Sequence, residues 1–319
     1  MLQPEVSKLR AIVDFELSKL GTTIGNFGLS EQMNYAVLSL GKRLRPILTL
    51  LSSLSVGGNL DQTVNLAMGF ELMHAASLVH DDVLDNDNVR RGEPALYKKW
   101  SVGEAILVGD ALLSLALNLV SDYDRVILKV FAETGMKIAE GEHSDFMISH
   151  IFSEDEYLKR IKRKSAALFQ ASTKCGAIAG NGSEKEIIAL ANFGEDFGNA
   201  FQIRDDILDL TDEFAFEGQI PSDLKQRRLT LPIIHLLNSL SETKKNHVLN
   251  LIETFASEDS SKNSTSYKNL MEELNKNGSL NYCKTKVNSY VNSAIKHIQP
   301  INNTVFKTNL IEIARSLMF

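Results

Sequence analysis

Apolar residues recur three and four positions apart along most of the chain, the period of a helix that buries one face. The pattern predicts an amphipathic helix over residues 1–20, a turn-rich GTTIGNFG patch at 21–28, and a second helix running to Leu40. A basic turn, Gly41-Lys42-Arg43-Leu44-Arg45-Pro46, comes next. Pro46 suits the first turn of the following helix, where a missing N–H costs nothing. Helical patterning then covers 62–85, 103–120, 124–148, 154–180 and 184–213, with a polar loop, NDNVRRGEP, after the first of these. No segment alternates cleanly enough to demand a strand. The stretch FAFEGQIPSDLKQRR at 214–228 has no clear period, and another helix starts near Thr230. SEDSSKNSTS at 257–266 reads as a mobile surface linker, and the rest as two or three short helices ending at Phe319.

Composition narrows the function classes. With 319 residues, 44% of them hydrophobic, the chain can bury a large core in one big domain or two ordinary ones. A net charge of −6 argues against a nucleic-acid binder. Cys175 and Cys283 are too far apart for a metal-type spacing, and two cysteines make no disulfide framework. The N-terminal MLQPEVSKLR lacks the apolar core of a signal peptide. The most apolar stretch, Ala105 to Val120, contains Asp110 and reads as too short to span a bilayer. A soluble cytoplasmic protein without a transmembrane segment is the simplest expectation.

One short echo carries chemistry. HDDVLD at 80–85 and RDDILD at 204–209 each place three carboxylates as Asp-Asp-x-x-Asp: Asp81, Asp82, Asp85 and Asp205, Asp206, Asp209. Residues four apart share a helix face, so Asp81 and Asp85 form one acidic patch with Asp82 beside it, and Asp205 and Asp209 another. Like charges at this spacing destabilise a helix by about 0.2–0.5 kcal/mol per pair. The apolar lead-ins ELMHAASLV and NAFQI worsen that repulsion through desolvation. A hard divalent cation removes the penalty. Mg²⁺ suits best, since it is held by one or two carboxylates and fills its shell with water and phosphate oxygens. A single acidic run is most simply a solvated helix end. Two matching copies are harder to explain that way.

Cations stand where an anionic substrate would need them. Lys42 and Arg45 are three apart, Arg90 and Arg91 follow the first cluster, and Lys164 lies where KRIKRKSAALF turns apolar. His74 is seven residues before Asp81, two helical turns along one stripe, and is expected to face the same cleft. Guanidinium forks and ammonium groups both suit phosphate oxygens. Each residue alone also has a bland role: a surface patch for Lys42, Arg43 and Arg45, local pairing with Asp87 or Glu93 for the arginines, a satisfied core histidine for His74. The case rests on their joint presence.

Taken together, GKRLRP, ELMHAASLVHDDVLD, RRG, KRKSAALF, FQIRDDILD and TLP resemble the trans-isoprenyl diphosphate synthase (polyprenyl synthetase) family, in the family's order and over about residues 41–232. The resemblance implies a single all-α domain over 1–319 with the isoprenoid synthase fold, ten or more helices around a central cavity, and a homodimer. It implies condensation of isopentenyl diphosphate with an allylic diphosphate (dimethylallyl, geranyl or farnesyl) to an all-trans product. By motif match, Asp81, Asp82, Asp85, Asp205 and Asp209 would bind three Mg²⁺ ions, with Asp206 in the second motif. Arg90 and Lys164 would contact the allylic diphosphate, and Lys42, Arg45, His74 and Arg91 that of isopentenyl diphosphate. Phe201 and Gln202 would lie near the reacting carbons. The catalytic set would be Asp81, Asp82, Asp85, Lys164, Gln202 and Asp205.

Two features qualify the likeness. Relatives carry Gly-Lys-x-x-Gly-x-Asp and Gly-Lys-x-Thr-Leu-Pro after the second motif, whereas this chain reads EGQIPSDLKQRRLTLP. Gln219 takes the first lysine's place, Pro221 or Ser222 the glycine's, and Arg228 the second lysine's; Lys225, Arg227 or Arg228 are candidates to compensate. A lost cation there would cost on the order of 1.5–3 kcal/mol of diphosphate binding. Upstream of Asp81, relatives with short products have bulky aromatics where this chain has Ala76 and Ser77. Small residues predict a longer product tunnel, with Met73 and Phe70 as floors and a geranylgeranyl or longer product. Two rivals remain: a non-catalytic subunit of a heteromeric synthase, favoured by the altered segment, and a terpene cyclase, disfavoured by RDDILD and GKRLRP.

Overall fold

A computed structural model describes residues 4–23, 27–39, 41–147, 153–211, 221–255 and 260–319. Its helices are α1 (Pro4–Thr23), α2 (Ser30–Leu38), α3 (Leu44–Ser55), α4 (Leu60–Asp85), α5 (Leu96–Lys99), α6 (Val102–Val120), α7 (Arg125–Met147), α8 (Glu154–Ile161), α9 (Ala167–Ala179) and α10 (Glu184–Thr211). Then follow α11 (Ser222–Lys225), α12 (Leu231–Ser239), α13 (Glu242–Thr254), α14 (Ser260–Asn277), α15 (Ser279–His297) and α16 (Val305–Arg315). Local chemistry sets several starts. Asn59 caps α4 by accepting from the N–H groups of Asp61 and Gln62, and Ser101 caps α6 by accepting from Glu104 N–H while donating to its carboxylate.

The long helices form a packed series in which α6 lies on α4, α4 on α3, α3 on α9, α9 on α10 and α10 on α15. The α3–α9 crossing is tight enough to require glycine, because a Cβ at Gly176 would sit 2.3 Å from the Thr49 carbonyl. Phe169, Phe193 and Phe197 are fully buried between α9 and α10, with ring centroids 5.1 Å apart for Phe169–Phe197. The all-α fold is as expected, and α4 and α10 both end on their acidic motifs. At a helix C-terminus the macrodipole adds about 0.3–1 kcal/mol of disfavour per carboxylate.

Several local expectations are corrected. The first helix runs on to Thr23, past the expected boundary. The loop after α4 contains a small antiparallel pair, β1 (Val89–Arg90) with β2 (Glu93–Pro94). The stretch 154–180 is not one regular helix: a π-turn, Lys162–Ala166, separates α8 from α9. Residues 260–266 are the opening turns of α14, not a linker. The stripe Tyr267, Leu270 and Leu274 buries that helix, while its polar opening turns resemble a loop in sequence. The last helices are also longer than expected, with 18, 19 and 11 residues. Finally, α6 has 19 residues and is long and apolar enough to cross a membrane, although it packs along α4. Gln219, with residues 257–259, lies outside the described residues.

Candidate active site

The first acidic motif splits around the helix axis. Successive residues point about 100° apart, so Asp81 and Asp82 serve different spaces. Asp81 opens onto a cavity of about 470 Å³ between α4, α6 and α7, with Met73, Ser77, Leu113, Ile138 and Glu142 in its wall. Burial, then Glu142 and Asp85, push the Asp81 carboxyl up to about 7, against the opposing pull of Lys164 and Arg90. Asp82 turns away and is buried, accepting a hydrogen bond from Arg90 Nε at 2.6 Å. Arg90 also pairs with Asp87 at 3.1 Å.

The second motif divides likewise. Asp206 is buried, and both of its oxygens are taken: Tyr157 Oη donates to one at 2.6 Å and Gln202 Nε2 to the other at 2.8 Å. Ser165 donates in turn to the Gln202 side-chain oxygen, which fixes the amide's orientation. Burial pushes the Asp206 carboxyl up to about 6 despite those donors. Asp205 is raised by the protein walls around it, against the pull of Lys42, Arg204, Arg45 and Arg90. Those partners put Asp205 beside the cations that follow.

Residues 221–230, where the sequence departs from its relatives, tie the two motifs together. The Arg228 guanidinium bonds the Asp85 carboxylate and reaches Asp223 at 3.9 Å. Gln226 Nε2 donates to the Asp85 carbonyl at 3.3 Å and to Asp87 at 3.1 Å. Asp223 is pushed well above the usual carboxylate range by burial and then by Asp206 and Asp209. One arginine thus joins the end of the first motif to a carboxylate that feels the second. Arg227 instead pairs with Glu253 at 2.9 Å, and Lys225 is exposed.

The cations converge on an adjoining pocket of about 440 Å³, lined by Lys42, Arg43, Arg45, His74, Arg91 and Phe201. Arg43 is structural: buried, it pairs with Glu71 at 2.7 Å and Asp14 at 3.1 Å. Among the described residues no carboxylate lies within 4.0 Å of Lys42, Arg45 or Arg91. The Arg45 guanidinium stacks 4.3 Å over the Phe169 ring, and its Nε is buried with no hydrogen-bond partner among the described residues. Burial, with Arg91 adding to it, lowers Arg45 to about 10. His74 is pushed well below its usual range, first by burial and then by Arg45, Arg91, Arg90 and Arg43, so it is neutral at pH 7. Lys42 and Arg91 are exposed and Arg45 half-buried, so their like charges gather at the pocket mouth, which suits an anion.

Gly41 makes room for one of those cations. A Cβ there would meet Arg91 Nη1 at 2.8 Å. Lys164 sits on the π-turn and bonds Glu142 at 2.7 Å; the close approach needs Gly141, whose Cβ would be 2.8 Å from the Lys164 backbone nitrogen. Phe201 lies under Lys42, its centroid 6.0 Å from the ammonium.

The structure relocates some predicted residues. His74 faces the cation pocket and Asp81 the cavity between α4, α6 and α7, not one shared cleft. Seven residues rise about 10 Å along the axis, enough to reach neighbouring compartments. Met73 and Ser77 line the cavity, but Ala76 and Phe70 do not: both are fully buried, Phe70 against Phe131 with ring centroids 5.3 Å apart. Four participants escaped the sequence reading: Glu142, Tyr157, Arg10 and Asp223. Glu142 is hidden in the polar run EGEHSD, Tyr157 sits on a short polar helix, and Arg10 of α1 lines the cation pocket and donates to the Gly41 carbonyl at 3.1 Å. Asp223 alone had a signal, as the aspartate ending the family's Gly-x-Asp pattern.

Among the described residues no three His, Cys, Asp or Glu side chains stand close enough to hold a metal by themselves. The donor set is oxygen-only and carries the unfavourable proximity of Asp81, Asp85 and Glu142, which fits Mg²⁺ bound partly by protein and partly by diphosphate oxygens.

An all-helical bundle that sets two acidic motifs beside a polycationic pocket suits divalent cations and phosphate oxygens. The chain belongs to the polyprenyl synthetase family, whose profile it matches across residues 28–270. It is 40% identical to a short chain isoprenyl diphosphate synthase of Methanothermobacter thermautotrophicus over 66% of this chain and 68% of that one. It is 31% identical to a geranylgeranyl diphosphate synthase of Methanosarcina mazei over 98% of this chain and 96% of that one. Its fold matches the crystal structure of a geranylgeranyl pyrophosphate synthetase from Pyrococcus horikoshii with a TM-score of 0.88 and 29% identity, covering 98% and 96% of the two chains.

Proposed function

We propose that this chain condenses isopentenyl diphosphate with an allylic diphosphate to give an all-trans prenyl diphosphate of geranylgeranyl length or longer. The observation that carries the reading is the cation pocket: Lys42, Arg45 and Arg91, none within ion-pair distance of a carboxylate among the described residues, stand beside Phe201, with Lys42 and Arg45 within the electrostatic reach of Asp205. Lys42, Arg45, Arg91 and neutral His74 bind isopentenyl diphosphate. Asp81, Asp85, Asp205 and Asp209 present oxygens to Mg²⁺ ions, three by family likeness, while Asp82 and Asp206 brace the motifs through Arg90, Tyr157 and Gln202. Mg²⁺ held by those carboxylates would supply charge neutralisation for the departing diphosphate.

The allylic C1–O bond breaks, its electron pair leaving with the diphosphate, as Lys164, Arg90 and Arg228 stabilise the growing negative charge. The isopentenyl double bond then attacks C1, forming the new C–C bond in a site screened by Phe201 and Phe169. A proton is lost from the adjacent carbon to the released diphosphate, restoring a double bond. The growing tail enters the cavity at Ser77 and advances toward Met73. Small Ser77 and the identity to a geranylgeranyl diphosphate synthase support a long product.

Arg228 reaching Asp85 speaks for catalysis over a non-catalytic subunit, because the altered segment still delivers a cation between the motifs. Exposed Ile106, Leu107 and Leu117 on α6 support a homodimer through that face. The enzyme is taken as soluble and cytoplasmic, the packing of α6 on α4 supporting the first of these alone. The test is incubation with Mg²⁺, radiolabelled isopentenyl diphosphate and primers of several lengths. Labelled products resolved by chain length support the reading, and no incorporation with any primer overturns it.

A further inference from the structure

Helix α8 supplies no group that meets substrate in the reaction proposed above, yet it touches both halves of the site. A helix of eight residues is marginal on its own, so tertiary contacts set its position. Its start is pinned to α15: Glu154 accepts from Tyr282 Oη and from Lys286 Nζ, each at 2.7 Å. One turn on, Tyr157 Oη donates to the buried Asp206 of the second motif at 2.6 Å. Arg160 stands a further turn along the same face. Its guanidinium lies 5.3 Å from the Tyr157 ring centroid, and its Nη2 donates to the Leu229 carbonyl at 3.3 Å. That carbonyl belongs to the residue after Arg228, whose guanidinium bonds Asp85 of the first motif.

The backbone around Arg228 needs a hold on both sides. Arg227 has φ +57°, a left-handed conformation that a non-glycine residue keeps only where its surroundings enforce it. From the N-terminal side, the Arg228 N–H donates to the Asp223 carbonyl at 2.8 Å and the Arg227 N–H to that of Leu224 at 3.1 Å. From the C-terminal side, Arg160 holds the Leu229 carbonyl. Arg160 also lines, with Gln202, Asp223 and Thr230, a space of about 70 Å³, far below the roughly 300–1,000 Å³ of small-ligand sites. Such a space admits water and no substrate, so Arg160 acts through its neighbours. We infer that Arg160 is a positioning residue: it fixes the Leu229 carbonyl against α8 and so aims Arg228 at the first motif, while Tyr157 on the same helix face holds the second. Helix α8 is then a strut that keeps the two acidic motifs in register. The inference rests on the proposed function, in which Arg228 stabilises the departing diphosphate, and adds to it the residue that places that arginine.

Arg160→Met keeps the apolar stem and removes the donor and the charge, whereas Arg160→Lys keeps the charge and a donor. A misplacement of about 1 Å can cost on the order of 10²-fold in rate, so Arg160→Met should lower kcat at least about tenfold. KM for isopentenyl diphosphate, whose cations line another pocket, should stay unchanged, and Arg160→Lys should recover most of the loss. Added to Arg228→Met, Arg160→Met should cost less than about twofold more, because the arginine it aims is already gone. Hydrogen exchange, which needs no turnover, should show the amides of residues 223–230 opening faster in Arg160→Met than in wild type or Arg160→Lys. Should Arg160→Met not fold, Arg160→Gln, whose shorter side chain does not reach the carbonyl, is read by the same criteria. A wild-type kcat, additive losses with Arg228→Met, or unchanged exchange over 223–230 would each overturn the inference while product formation continued. Absence of product from the wild-type chain with every primer sinks the proposed function, and the inference with it.

Discussion

Gly41→Ala separates the folding role of a residue from its binding role. The added Cβ would stand 2.8, 3.0 and 3.2 Å from Arg91 Nη1, Cζ and Nη2, closer than such contacts normally come. The obstacle is the far end of a flexible side chain, so Arg91 can swing aside with little strain. Gly41 is also not among the positive-φ glycines, so alanine fits its backbone. Stability should therefore change by less than about 1 kcal/mol. The displaced guanidinium, however, no longer meets the diphosphate. Losing one charge-assisted hydrogen bond of about 1.5–3 kcal/mol, at 1.4 kcal/mol per tenfold, raises KM for isopentenyl diphosphate by about 10- to 150-fold. Steady-state kinetics with each substrate varied in turn, beside urea unfolding of both proteins, measures all of this. An unchanged KM for isopentenyl diphosphate in a normally folded variant would refute the role given to Arg91. So would an equal rise in KM for the allylic primer.

Other consequences follow from the same geometry. Ser77→Phe should shorten the product seen by reversed-phase chromatography, because Ser77 lines the tail cavity; Ala76→Phe should instead overpack the core and cost about 1–3 kcal/mol in urea unfolding. Tyr157→Phe leaves buried Asp206 short of one donor and should lower stability by about 1–3 kcal/mol, read by the same unfolding experiment. Arg10→Gln should raise KM for isopentenyl diphosphate several-fold at constant kcat, since Arg10 steadies the Gly41 carbonyl. His74 has a depressed folded pKa, so the unfolded chain binds its proton more readily. Stability is therefore full above the ordinary value near 6.5 and falls as pH drops below it, by up to about 1.4 kcal/mol per pH unit. His74→Gln should flatten that part of the urea-midpoint profile.

The acidic motifs were legible because repulsive carboxylates at helical spacing, written twice, are expensive without a ligand. The helices themselves were legible from their apolar period. What the sequence hid was rotation and partnership. Ala76 and Ser77 are neighbours in the chain but about 100° apart around α4, and only packing shows which one meets the cavity. Arg43 and Arg45 look alike in a basic turn, yet Glu71 and Asp14 claim one and leave the other. Arg10 stands on a helix whose periodicity fixes its buried face and says nothing of a carbonyl thirty-one residues on. The opening turns of α14 are polar enough to pass for a loop, and long-range burial of Tyr267, Leu270 and Leu274 decides otherwise.

The central claim is that the two aspartate motifs and the cation pocket frame one site for two diphosphates. Anomalous diffraction from crystals grown with Mn²⁺, an allylic thiodiphosphate and isopentenyl diphosphate tests it most directly. Metal peaks shared by Asp81, Asp85 and Asp205 through one diphosphate, with the second diphosphate on Lys42, Arg45 and Arg91, are the expected result. Metal bound to one motif alone, or a pocket of arginines left without an anion at saturating isopentenyl diphosphate, would contradict it.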